Sequence, residues 1–87
     1  MAWVYVLRSL KTDKQYVGST MLHPLERLKA HHAGTAEWTK ANKPLELIYS
    51  EYFEIIEIAQ KWERFFKTEK GREVLKSLLR AKQISPG

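Results

Sequence analysis

Two β-rich segments near the start of the chain constrain its fold most. They are Trp3–Leu7 and Tyr16–Thr20, and the link between them is mostly polar or charged. Such a link between two β-type runs is typical of a hairpin turn. Because side chains alternate across a strand, pairing can bring the phenols of Tyr5 and Tyr16 to one side of a small sheet. Gly18 leaves bare backbone beside Tyr16, where another chain or a ligand could approach closely.

Composition narrows the class of protein. A chain of 87 residues with 44% hydrophobic residues and three tryptophans forms one domain, residues 1–87, with a modest core. It has no cysteine, so a metal would be held by oxygen or imidazole ligands. The apolar start is too short for a signal-peptide core, and no stretch is long enough to cross a bilayer. We therefore expect a cytoplasmic protein with no membrane partner.

Charge is distributed unevenly along the chain. The formal net charge is +5, yet residues Glu46 to Glu57 contain four glutamates and no lysine or arginine. From Lys61 to Lys82, eight basic residues outnumber three glutamates. A basic C-terminal third is typical of a small domain that binds a polyanion. The alternative is that these residues form a solvated helix face that keeps the protein soluble.

Start and stop signals predict a first helix over residues 24–33. Pro24 suits the first helical position, and Gly34 is a plausible stop. Arg27 and His31 lie one turn apart on this helix, whereas His32 is rotated from His31 by roughly 100°. The two histidines therefore cannot clamp one metal from a single helix face. The predicted apolar stripe of the helix consists of Leu22, Leu25 and Leu28.

The rest of the chain is predicted as a loop, a strand and two helices. Thr35–Lys43 is polar except for Trp38 and favours a loop with room for one helical turn. Leu45–Tyr52 predicts the third strand, and a long helix should follow from about Glu54 to Lys70. Gly71 should interrupt that helix before a further helix, Arg72–Lys82. The predicted apolar face of the long helix comprises Ile55, Ile58, Ala59, Trp62, Phe65 and Phe66.

These elements define an α+β fold with the order β-β-α-β-α-α. A small three-stranded antiparallel sheet should be flanked by three or more helices. Within the long helix, Glu63 lies at the edge of the apolar face, where a half-buried carboxylate needs a partner. That partner is either Lys67, one turn later, or a divalent cation.

Residues on four of these elements resemble the motifs of the GIY-YIG nuclease superfamily. Trp3-Val4-Tyr5 stands where the first triplet of that family falls, with Trp3 in place of its glycine, and Tyr16-Val17-Gly18 stands where the second falls. The match runs from Trp3 to about Arg80 and is similar to the small bacterial stand-alone members and to the nuclease half of the excision-repair endonuclease. The further matching residues are Arg27, His31 and Glu63.

The resemblance implies hydrolysis of phosphodiester bonds in DNA, with RNA left open as a substrate, in DNA repair or recombination. Glu63 would anchor Mg²⁺ or Mn²⁺, and Arg27 would hold the phosphate. Tyr5 would be the general base or relay its proton, while Tyr16 and His31 would orient water and phosphate or share the base role. A non-catalytic nucleic-acid-binding or protein-docking module is the alternative.

Binding of nucleic acid should depend on basic side chains rather than on the reading of base edges, because no base-reading element is evident. Cleavage should then show low sequence specificity and depend on the shape of the substrate, and a separate targeting protein is a possible partner. The predicted nucleic-acid-binding residues are Arg27, Lys29, Lys67 and Arg72.

Overall fold

The structure, a computed structural model, describes residues 1–34 and 37–84. Its strands are β1 (Ala2–Ser9), β2 (Gln15–Thr20) and β3 (Leu45–Phe53), and its helices are α1 (Pro24–Ala33), α2 (Glu37–Asn42), α3 (Ile56–Phe66) and α4 (Glu69–Ile84). The three strands form one antiparallel sheet, which confirms the predicted α+β class. Helix α2 lies within the segment predicted as a loop, of which Thr35 and Ala36 fall outside the described residues.

Strand β1 is the centre of the sheet, between β2 and β3. Val4 and Val6 face one layer of core together with Phe66 and Leu75 from the C-terminal helices; we call this side the valine face. Tyr5 and Leu7 face the opposite layer, which we call the tyrosine face. Both layers are covered, so β1 is buried along almost its whole length, as its continuous apolar sequence requires.

A register shift in β3 changes which of its residues face each layer. Val6 pairs with Tyr49 and Leu7 with Leu47, so β3 carries one extra residue, Ile48, at this point. Without the extra residue, Leu47 and Tyr49 would share a face, because side chains alternate. Instead Leu47 packs on the tyrosine face and Tyr49 on the valine face.

The predicted hairpin between β1 and β2 is confirmed, and Ser9 closes its turn. The backbone N–H of Ser9 donates to Lys14 (2.8 Å), and its hydroxyl oxygen accepts from the N–H of Thr12 (2.9 Å). Asp13 takes the left-handed conformation, with φ of 67°. Aspartate tolerates this conformation better than most residues do, since its short polar side chain bonds locally.

Helix α1 has the predicted bounds but not the predicted apolar stripe. Leu22 and Leu25 are each 53% exposed, and only Leu28 packs against the core of the tyrosine face. The reason is that α1 meets the sheet through Arg27 and His31, which occupy the neighbouring helix face. Gly34 ends the helix in an extended conformation, with φ of −74°, rather than a left-handed one.

The two predicted C-terminal helices are present, but the predicted break between them at Gly71 was wrong. Helix α3 ends at Phe66, and α4 begins at Glu69. Thr68 makes the break, because its hydroxyl oxygen accepts from the N–H of Gly71 (3.0 Å) and caps the first turn of α4. Gly71 is inside α4 and is buried there. A Cβ atom on this residue would lie 1.7 Å from the carbonyl oxygen of Phe65, so the glycine permits the close approach of the two helices.

The apolar face of α3 is wider than the sheet can cover. Ala59 and Phe66 are buried in the core as predicted, but Ile55, Ile58 and Trp62 are exposed. Trp62 stacks on Phe53 at a ring distance of 6.5 Å, at the margin of the valine face. Despite this apolar surface, no helix in the described part of the chain has the length and hydropathy needed to cross a membrane.

The packing of Gly71 should reverse the usual effect of replacing a helical glycine by alanine. Gly→Ala in a helix ordinarily stabilises a protein by about 0.5–1 kcal/mol. We expect Gly71→Ala instead to lower the free energy of unfolding by about 1–3 kcal/mol, because the new methyl group clashes with backbone. Urea denaturation measures this, with Ser77→Ala as the control on an exposed position of the same helix. A Gly71→Ala protein as stable as the parent would contradict the packing described above.

Candidate active site

The phenol of Tyr5 lies across the backbone of Gly18 on the neighbouring strand. The two residues are paired in the register of β1 and β2. A Cβ atom at position 18 would lie 2.5 Å from the Tyr5 hydroxyl, so no side chain fits there. Tyr5 is only 1% exposed. The space beside Gly18, which was predicted to admit another chain or a ligand, is therefore occupied by Tyr5 itself.

Helix α1 brings two side chains to the Tyr5 hydroxyl. His31 Nε2 lies 3.0 Å from this oxygen, and Arg27 Nε donates to it at 3.4 Å. One turn separates Arg27 from His31, which places both on the helix face directed at the sheet. His32 points elsewhere: its Nε2 accepts from the backbone N–H of Leu45 (3.1 Å) and ties α1 to the start of β3. The predicted divergence of the two histidines is thus confirmed.

Tyr16 joins this cluster from the edge strand. Its ring centroid lies 6.2 Å from that of Tyr5 and 5.0 Å from that of His31. The predicted placement of both phenols on one side of the sheet is therefore confirmed. Trp38, on α2, extends the cluster, with its ring centroid 5.4 Å from that of Tyr16. Trp38 was not among the predicted site residues, although a lone aromatic residue in a polar segment was the available signal.

The environment sets the protonation of the cluster. Burial raises the pKa of Tyr5 to about 12 against the opposing effect of the Arg27 hydrogen bond. Burial also lowers the pKa of His31, and the positive charges of Arg27 and His32 act in the same direction. Near neutral pH the phenol is thus protonated and the imidazole is uncharged. In this state the Tyr5 hydroxyl can donate to His31 Nε2 while it accepts from Arg27.

Glu63 lies on the valine face, where Ser19 and Lys67 hold its carboxylate. Its Oε1 accepts a hydrogen bond from the Ser19 hydroxyl, and its Oε2 accepts from Lys67 Nζ at 2.8 Å. Burial by itself raises the pKa of Glu63, but the hydrogen bonds from Lys67 and Ser19 outweigh it, so the net shift is downward. The carboxylate, 23% exposed, is therefore ionised and half-buried.

Strand β2 separates Glu63 from the tyrosine cluster. Gly18 pairs with Tyr5 on the tyrosine face, so the next residue, Ser19, points to the valine face and meets Glu63 there. The structure thus brings Tyr5, Tyr16, Arg27 and His31 together. Among the described residues, the hydrogen bonds of Glu63 go to Ser19 and Lys67, and none of them reaches that cluster.

The donor chemistry of Glu63 fits a divalent cation. An ionised, partly open carboxylate is the ligand that Mg²⁺ and Mn²⁺ prefer, and such sites often use one or two protein carboxylates with water and substrate phosphate. In the described part of the chain, no three or more His, Cys, Asp or Glu side chains are grouped to hold a metal ion. A bound ion would therefore take most of its ligands from water and substrate.

Two clefts meet at Tyr16. One, of about 310 Å³, lies on the tyrosine face and is lined by Tyr16, Arg27, Ala30, His31, Gly34, Trp38 and Thr39. The other, of about 450 Å³, is lined by Gln15, Tyr16, Val17, Phe66, Lys67, Arg72 and Leu75. Tyr16 lies on the edge strand β2 and is the residue shared by the two linings.

Three of the four predicted nucleic-acid-binding residues line one of these two clefts. Arg27 lines the first cleft, and Lys67 and Arg72 line the second. Lys29 lines neither cleft. It is 78% exposed on α1, with its Nζ 3.6 Å from Glu26.

Comparison with known proteins places the chain in a family. The protein-family model for the GIY-YIG catalytic domain matches residues 1–76 of the sequence. The chain therefore belongs to the GIY-YIG family, whose domains are generally nucleases. The UPF0213 protein CPE1444 of Clostridium perfringens (strain 13 / Type A) is 39% identical to it over 69 residues, which cover 77% of this chain and 71% of that relative. No solved structure matches the chain. The resemblance seen in the sequence is thereby confirmed.

The charge of Arg27 makes the titration of His31 a test of the cluster. His31 should titrate below its ordinary pKa of 6.5. The unfolded chain binds this proton more readily than the folded chain does. The contribution of neutral His31 to the free energy of unfolding should therefore be fully present above pH 6.5 and lost as the pH falls through the folded-state pKa. Arg27→Ala should raise the pKa of His31, whereas Lys29→Ala, on the exposed face of α1, should not. NMR titration of the histidine C–H resonances measures this, and equal shifts in both variants would contradict the geometry.

Proposed function

We propose that this chain is a divalent-metal-dependent endonuclease that hydrolyses phosphodiester bonds in DNA, with low sequence specificity and with selection by substrate structure. The observation that carries the proposal is the hydrogen-bonded set of Tyr5, His31 and Arg27 beside a cleft. A phenol held between a neutral imidazole and a guanidinium is arranged to move a proton next to a bound anion. Membership of the GIY-YIG family supports the same reaction class.

Arg27 holds the scissile phosphate in this proposal. Its guanidinium is permanently charged, and its planar set of donors matches the non-bridging oxygens of a phosphate. It lines the cleft of the tyrosine face and already contacts the Tyr5 hydroxyl. A phosphate bound to Arg27 is therefore next to the group that handles the proton of the attacking water.

Tyr5 relays the proton, and His31 accepts it. With a pKa of about 12, Tyr5 is a poor base by itself at neutral pH. Tyr5 is only 1% exposed, so in this proposal the attacking water must reach its hydroxyl from the cleft, past Arg27 and His31. As that water gives a proton to the phenol oxygen, Tyr5 passes its own proton to His31 Nε2, which lies 3.0 Å away. The pentacovalent phosphate then expels the leaving oxygen, which takes a proton from solvent, and His31 returns its proton to solvent. Tyr16 packs against His31 and fixes the plane of its ring.

Glu63 is the residue that would hold a divalent cation. Mg²⁺ or Mn²⁺ bound there would stabilise the negative charge of the phosphate and of the leaving oxygen. Ser19 orients the carboxylate, and Lys67 keeps it ionised. Because Glu63 lies across β2 from Arg27, this proposal requires a substrate strand that passes around the edge of the sheet to meet both residues.

Low sequence specificity follows from the chemical groups that line the two clefts. Guanidinium, ammonium and aromatic groups bind phosphates and base faces, and these contacts carry little information about sequence. Affinity should then come mostly from release of counterions.

Salt dependence tests this binding mode. Affinity for unrelated sequences of one shape should fall steeply and equally as salt rises. Arg72→Gln should reduce the slope of log affinity against log salt by roughly 0.7–0.9, the effect of one phosphate contact. Lys29→Gln, outside both clefts, should change it less. Fluorescence anisotropy with scrambled oligonucleotides measures this, and a preference for one sequence that survives high salt would show the binding mode to be wrong.

Glu63→Gln separates an enzyme from a binding module. The change keeps the shape of the side chain and removes the charge that would hold a cation, so Mg²⁺-dependent cleavage should fall by about two orders of magnitude or more. Affinity for DNA without metal should stay level or rise. The free energy of unfolding should change by less than about 1 kcal/mol, since glutamine keeps an oxygen that can accept from Ser19 and only the pair with Lys67, a half-exposed lysine, loses its charge.

Glu57→Gln is the matched control, because Glu57 is an exposed glutamate of the same helix. It should cleave like the parent. The assay compares labelled flap, fork, single-strand and duplex substrates with Mg²⁺, Mn²⁺ or EDTA. Undiminished Mg²⁺-dependent cleavage by Glu63→Gln would end the metal-anchor hypothesis, and binding without cleavage by the parent would favour the non-catalytic module.

A further inference from the structure

Trp38 forms an aromatic wall of the cleft that contains Arg27. Its ring lies 5.4 Å from that of Tyr16, at an interplanar angle of 45°, and neither residue is fully buried. Part of Trp38 packs on the core of the tyrosine face, and part lines the cleft. Among the described residues that line the cleft there is no carboxylate, so none of these side chains repels an anion.

The position of Trp38 is fixed without substrate. Helix α2 has six residues and is too short to be stable by itself. Asn42, at its end, anchors it to the hairpin turn: the hydroxyl of Ser9 donates to the Asn42 carbonyl oxygen (2.6 Å), and Thr12 donates to the Asn42 side chain. The Asn42 amide in turn donates to the carbonyl oxygen of Trp38 (2.7 Å). The backbone that carries Trp38 is therefore anchored before any ligand arrives, and its ring packs on Tyr16, which lowers the entropic cost of binding.

The two kinds of group in this cleft match the two parts of a nucleotide. A guanidinium binds the phosphate, and an aromatic ring binds the face of a base. In a continuous duplex the base faces are covered by their stacked neighbours, so only an unpaired base offers its face to a side chain. The cleft is a concave space bounded by side chains of β2, α1 and α2, which suits one splayed base better than the outside of a duplex.

We propose that Trp38 stacks on an unpaired nucleobase adjacent to the phosphate held by Arg27, so that the substrate is a strand that is unpaired at the cleavage site. This inference rests on the proposed function, because it takes Arg27 as the phosphate ligand. It makes Trp38 the residue that determines substrate structure. Since every base has a face, this selection by stacking does not depend on sequence.

Binding in EDTA tests the proposal without any need for cleavage. Fluorescence anisotropy would compare a labelled single strand of thymidines with a labelled duplex of the same length. Trp38→Leu should weaken single-strand binding by roughly 5- to 150-fold, the range for loss of one stacked base, and should change duplex binding less than about twofold. Trp38→Phe should retain most of the affinity, because the aromatic face remains. The matched control is Trp62→Leu, an exposed tryptophan on the valine face, which should behave like the parent.

A second measurement covers the case in which Trp38→Leu fails to fold. In a Trp3→Phe, Trp62→Phe variant, Trp38 is the remaining tryptophan, and its fluorescence should be quenched by the single strand but not by the duplex. Equal losses for both substrates in Trp38→Leu, or no selective quenching, would overturn the inference. These results stand apart from the proposed function, whose failure would appear as no Mg²⁺-dependent cleavage by the parent in the assay above.

Discussion

The site depends on the burial of one phenol. Tyr5 lies on the central strand, and its ring fits only because Gly18 opposite it has no side chain. A buried hydroxyl needs partners, and His31 and Arg27 supply them from α1. These contacts link the central strand to the first helix and bring titratable groups to the wall of a cleft. The same contacts therefore hold the fold together and create the chemistry of the candidate site.

Burial also decides how the proton is handled. A phenol in an apolar layer resists ionisation, and a partly buried imidazole beside a guanidinium resists protonation. Tyr5 and His31 are therefore pushed to the neutral pair that lets a proton pass from one to the other. Glu63, on the opposite layer, is pushed to the charged form by Lys67 and Ser19. The sheet thus separates the neutral proton-transfer groups from the candidate cation ligand, with only the edge strand between them.

Local patterns predicted much of this molecule. Alternation and turn residues gave the hairpin, and Pro24 and Gly34 bounded α1 to the residue. The ordered motifs indicated the GIY-YIG family, which the comparison confirmed. The placement of Tyr5 and Tyr16 on one face followed from the period of a strand and was also confirmed. These features are encoded within a few consecutive residues, where propensity and periodicity act directly.

Other features depended on contacts between distant segments. Gly71 looks like a helix stop in sequence, and only the approach of α3 to α4 shows that it is a packing residue and that Thr68 makes the break. Trp38 joined the site because Asn42 binds the hairpin turn some thirty residues earlier. The sequence by itself determined the family, the strands and the identity of the candidate residues. The tertiary structure decided which of those residues meet, since burial and close approach are properties of the packed layers and not of any one segment.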